Sequence, residues 1–336
     1  MSDGDAGAIA ERVARNSYGR LVALLAASTR NIMLAEDVLA HAFERALSTW
    51  PMNSVPDNPE GWLLTVARNR VRDELRSAAV RTAVPLDDRY VTMLDESNPD
   101  AIPDRRLELL FACAHPAIST SDRAPLMLQV VLGFDAARIG QVFAVQPTAM
   151  AQRLVRAKRR IKDTGIPFRI PTRADMPERL PTVLEAIYAA YAIDWLDQRE
   201  AIRVSMSDEA RWLAVLTAGL LSIEPEAWGL AALLTFAQSR APARACTPWP
   251  PLDEQDPALW DHSLIEEGEE LLRRAHALGA PLGRFQIEAA IQSAHCDRIR
   301  TGTLDRATVI RLYRGLIAVA PTTGAKQALS SLMSRA

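Results

Sequence analysis

A chain of 336 residues, 49% hydrophobic and 24% charged, has the length for two or three domains and the composition of a soluble globular protein. No apolar run is long enough to span a bilayer, and the opening MSDGDAGAIAE is acidic without an apolar core, which excludes a signal peptide. The formal net charge of −2 decides little, but its distribution is uneven: residues 136–162 are strongly basic, while the stretches around Asp87–Asp104 and Asp253–Glu270 are acid-rich. Cys113, Cys246 and Cys296 are odd in number and scattered, which points to a reducing compartment, the cytoplasm, rather than to a disulfide framework.

The apolar spacing predicts a first helix over about Ala8–Ala27 and a second over about Leu34–Trp50. In the second, Val38, Leu39, Ala42, Phe43, Ala46 and Leu47 form the inner face, leaving Glu36, Asp37, His41, Glu44 and Arg45 outside. The turn-forming loop Pro51–Pro59 follows, with Asn58 as N-cap and Pro59 at the first position of a third helix that reaches about Ala79. Trp62, Leu63, Val66, Ala67, Val71 and Leu75 face its core. Arg68, Arg72 and Arg76, four residues apart, build a basic ridge beside Asn69. Residues 82–103 lose periodicity and accumulate Pro, Asp, Asn and Ser, the composition of an acidic linker.

Helices are predicted again over Arg105–Ala114 and Ser121–Gly133, and then comes a pair joined by a tight turn. Ile139, Val142 and Phe143 line the first of these; Pro147 opens the second, whose stripe is Met150, Leu154, Ala157 and Ile161. Ala149, Gln152, Arg153, Arg156, Arg159 and Arg160 fall on a neighbouring face, and no acid interrupts residues 136–162. This is the layout of a helix-turn-helix whose second helix suits the major groove. An ordinary helix pair with a solvated basic face fits the same stretch.

Beyond residue 165 a proline-rich joint precedes helices over about 181–196, 207–222, 225–240, 260–279, 284–296, 304–320 and 323–334, a succession that reads as a stacked solenoid with a concave binding face. Catalysis finds no support in a phosphate loop, a zinc-binding histidine pair or a nucleophile elbow. The pairs Cys113/His115 and His295/Cys296 read as buried structural residues rather than metal ligands, so no cofactor or metal is expected.

Four segments in order, AEDVLAHAFERAL, SVPDNPEGWLLTVARNRVRDELR, RLELLFACAHPAIS and TAMAQRLVRAKRRIK, resemble an extracytoplasmic-function sigma factor, in the subgroup with a tetratricopeptide-like C-terminal extension. The resemblance implies an all-α protein: a region 2-like domain over 1–81, the linker 82–103, a region 4-like helix-turn-helix domain over 104–164, the joint 165–180 and a helical-repeat extension over 181–336. It implies RNA polymerase core binding through Glu36, Asp37, His41 and Glu44, although Ala40 and His41 stand where the usual motif has Gln and Glu. By the same resemblance, Asn53, Asp57, Asn58, Arg68, Asn69, Arg72 and Arg76 contact the −10 promoter element. Thr148, Ala149, Gln152, Arg153, Arg156, Arg159 and Arg160 contact the −35 element, where Gln suits adenine and Arg guanine. The expected partners are thus polymerase core and promoter DNA, with a protein or peptide on the solenoid and no membrane. Two alternatives remain: a DNA-binding regulator without core binding, and a scaffold with a degenerate sigma half.

Overall fold

The computed structural model describes residues 3–29, 31–82, 104–163, 171–196, 206–244 and 255–334. These residues are helical with no strand among them, so the all-α expectation holds, and none of the helices is long and apolar enough to cross a membrane. They divide into two compact units, residues 1–189 and 190–336.

In the first unit, α1 (Asp3–Thr29), α2 (Ile32–Asn53) and α3 (Pro59–Thr82) pack on one another. Leu21, Leu25, Leu39, Leu63 and Ala67 are fully buried between them, as the apolar spacing predicts. Asn31 caps α2 by accepting from the Leu34 amide, and Asn58 caps α3 by accepting from the Gly61 amide at 2.9 Å. Two expectations are corrected. Helix α2 continues through Pro51 to Asn53 and stops where Ser54 takes a φ of 64°, and Leu47, placed on the inner face by spacing, is 55% exposed.

Next come α4 (Arg105–Cys113), α5 (Thr120–Val130), α6 (Ala136–Val142) and α7 (Pro147–Asp163). Helix α4 is the axis of the unit: Leu107, Leu110, Phe111 and Cys113 are wholly buried, and the helix packs against both α1 and α5. The approach of α1 to the end of α5 needs a glycine, because a Cβ on Gly19 would overlap the Val131 carbonyl oxygen. Residues 3–82 and 104–163 therefore share one core here.

Helix α8 (Met176–Leu196) contains Pro181 in its first two turns and begins inside the expected joint; the division at residue 189 falls within it. Arg179, near its start, donates to the Phe111 carbonyl at the end of α4. In the second unit α9 (Met206–Leu220), α10 (Pro225–Ser239), α11 (His262–Ala277), α12 (Arg284–Cys296), the single turn α13 (Arg298–Thr301), α14 (Arg306–Val319) and α15 (Thr323–Ser334) follow; all but α13, which no predicted span covers, keep close to the predicted spans. Helix α10 is buried nearly all round and touches α9, α11 and α12, with α14 and α15 stacking onward from α12. The α12 N-terminus has no cap of its own, and Glu226 from α10 accepts from the Phe285 and Gln286 amides at 2.9 and 3.1 Å.

Candidate nucleic-acid interface

The helix-turn-helix is built by local chemistry. Asp135 opens α6 by accepting from the Ala137 and Arg138 amides, both at 2.9 Å. Ala144 then takes a φ of 52°, the left-handed position that ends helices, usually at glycine. The Val145 amide reaches back to the Gly140 carbonyl at 2.8 Å and the Ala144 amide to Gln141, the bond pair of a Schellman motif. A Cβ on Gly140 would crowd the Val145 carbonyl, so the tight turn does use a glycine, one placed inside α6.

Helix α7 leaves this turn with Met150, Leu154 and Ala157 buried against α5 and α6. Thr148, Ala149, Gln152, Arg156, Arg159 and Arg160 are all exposed, and Arg159 pairs with Asp163 one turn on at 3.4 Å. These six candidates share an open face. Arg153 does not join them, because its guanidinium is tied to Asp122 at 2.5 Å and to the Ser121 carbonyl, both on α5. Such a charge-assisted pair, about one quarter exposed on each side, fixes the roll of α7 on α5.

On α3, Arg68, Asn69 and Arg72 are exposed, and Arg72 donates to Asn69 at 2.8 Å. Asn53, Asp57 and Asn58 lie exposed at the preceding bend, with the Asn58 oxygen engaged as the α3 cap. The side chain of Arg76 lies outside the described residues. Trp50 is buried and meets Trp62 edge-on, with ring centroids 5.5 Å apart, so these rings serve the core rather than an open stacking surface.

On α2, Asp37, Ala40, His41, Glu44 and exposed Leu47 make one outward stripe of mixed apolar and acidic character, with His41 Nδ1 3.7 Å from Glu44. Glu36 stands apart from it. Its carboxylate accepts twice from Lys158 of α7, at 2.9 and 3.0 Å, and both side chains are less than one fifth exposed. An open cleft of about 360 Å³ beside this pair is lined by Tyr18, Asp37, Ala40, Gln129 and Asp135. Burial first, then Glu36 and Asp37, pushes the Tyr18 hydroxyl well above its ordinary pKa, so it stays neutral. Sequence reading missed Lys158 and Asp122, for no local signal marks partners 122 and 31 residues away.

Cys113 is buried with its thiol pKa raised by burial and by Glu36, and His115 uses Nδ1 to accept from the Ala117 amide. Cys296 is also buried, its thiol pushed up to about 11 by desolvation. Among the described residues no group of three His, Cys, Asp or Glu could hold a metal ion, and Cys246 lies outside them.

Comparison with known proteins adds to this geometry. Residues 13–81 match sigma-70 region 2, and residues 179–276 match a family of unknown function, DUF6596. An uncharacterized protein of Rhizobium meliloti (strain 1021) is 35% identical over 304 residues, 87% of this chain and 72% of that protein. ECF RNA polymerase sigma factor SigL of Mycobacterium tuberculosis (strain ATCC 25618 / H37Rv) is 31% identical over 131 residues, covering 39% of this chain and 73% of SigL. Probable ECF RNA polymerase sigma factor SigI of the same strain is 27% identical over 197 residues, 53% of this chain and 66% of SigI. No solved structure matches the chain.

Proposed function

The chain belongs to the sigma-70 family, and from that premise we propose that it is an alternative sigma factor of the extracytoplasmic-function type, working in the cytoplasm. It binds polymerase core through α2 and directs initiation by reading −10 and −35 elements with α3 and α7. The observation that carries this reading is the pairing, in one unit, of a region 2 match with a helix-turn-helix whose open face is cationic. A sigma factor has to grip core, track phosphates and hold unpaired bases, and the exposed sets on α2, α7 and α3 offer in turn a mixed acidic–apolar stripe, a row of cations and a cluster of amides and guanidiniums. The non-enzymatic character of the sigma factor family supports a non-catalytic role.

The domain organisation proposed is region 2 over 1–81 and region 4 over 104–164, followed by a tetratricopeptide-like solenoid that takes a protein or peptide and regulates the sigma half. Support for the last part comes from the helix-on-helix stacking of α9 to α15. The test is a titration of the full-length protein against purified core polymerase, followed by footprinting of the complex on selected promoter fragments. Core binding with protection of two elements about 25 base pairs apart supports the reading. Protection of DNA without core binding would instead favour a regulator, the alternative motivated by Ala40 and His41.

A further inference from the structure

Helix α7 sorts its side chains sharply, with one exception. Val155 is 65% exposed on a helix whose other long apolar side chains, Met150, Leu154 and Ile161, are buried or half-buried. Taking Gln152 as the centre of the open face and about 100° per residue, Val155 lies at about −60°, Thr148 at about −40°, Arg159 at about −20° and Arg156 at about +40°. Val155 therefore stands among the outward polar groups, one turn from Gln152 and from Arg159. Arg153, at about +100°, is at the edge and held by Asp122, while Lys158, at about −120°, is held by Glu36. A β-branched residue at an exposed helical site gains nothing from water and forms helix less readily than alanine. In the major groove it gains a partner, because the C5-methyl of thymine is the one apolar feature among base edges.

We propose that Val155 is a specificity-determining residue that packs on a thymine methyl in the −35 element, next to base pairs read by Gln152 and Arg156, and that Arg153 is a positioning residue holding α7 on α5. The inference rests on the promoter reading above and deepens it. The test uses full-length protein assembled with core polymerase on a promoter chosen by selection from a −35 library, with each −35 thymidine replaced in turn by deoxyuridine, which removes only the methyl. At one position the replacement should weaken wild-type binding by about threefold to tenfold. Val155→Ala should bind the unmodified promoter more weakly by the same factor and lose nothing further on the uracil template. Asp122→Asn, which releases the Arg153 guanidinium, should weaken binding to the thymine and uracil templates alike, and unchanged affinity would overturn the positioning role of Arg153. If the wild type keeps its sequence preference but Val155→Ala responds to uracil as the wild type does, the inference is overturned and the promoter reading stands. A loss confined to core binding would assign Val155 to a protein surface and overturn it too. A wild type without any −35 preference overturns both.

Discussion

Ala144 occupies the left-handed backbone region, where an L side chain costs about 1–2 kcal/mol relative to glycine. Ala144→Gly is therefore expected to stabilise the first unit by about 0.5–1 kcal/mol, read as a rise in the midpoint of thermal or denaturant unfolding; an unchanged midpoint would mean the turn carries no strain. His115 is a pH-sensitive residue of the same unit. Burial, then Arg179 and Arg123, hold its pKa below the ordinary 6.5. The unfolded chain thus takes up the proton at higher pH than the fold does. The stability linked to His115 is complete above pH 6.5 and is lost as the pH falls from there through its folded pKa. NMR titration should place its midpoint below 6.5, and a midpoint at or above that value would refute the assignment. The residues that sequence reading could not place share a cause. Arg153 and Lys158 look like further cations of a basic helix, and only the fold brings Asp122 and Glu36 to them.

At the scale of elements, the helices were legible because their signals are local: Asn58 before Pro59 and Pro147 at the first position of α7 both mark starts that the structure keeps. Ends were harder. Pro51 suggested a stop after Trp50, yet α2 runs on, and the turn after α6 hid its left-handed residue behind an alanine. Contacts between elements left no pattern at all. Gly19 reads as an ordinary helix interior glycine, although Gly19→Ala should cost about 3 kcal/mol by pushing α1 off Val131. Calorimetry that shows no destabilisation would contradict this packing. Likewise Glu226→Ala should lower the stability of the second unit by about 1–2 kcal/mol, since it removes the borrowed cap of α12; amide exchange at Phe285 and Gln286 should rise with it.

For the molecule as a whole, the first unit poses a geometric condition on the proposed function. A compact body of its size measures about 40 Å across, whereas −10 and −35 elements lie roughly 85 Å apart along B-DNA. Reading both elements with α2–α3 and α7 therefore requires the first unit to open, parting the packing of α1 on α4 and α5 and the Lys158–Glu36 pair. Fluorescence transfer between labels on α2 and α7 should fall on forming the promoter complex, and constant transfer would show that the unit stays closed. Lys158→Ala, which removes one of these contacts, should raise the apparent affinity for core by several-fold. The central claim is met most directly by run-off transcription with purified core polymerase and a selected promoter. Full-length protein should produce a transcript of defined start that core alone does not, and its absence, with the protein folded and core active, would contradict the assignment as a sigma factor.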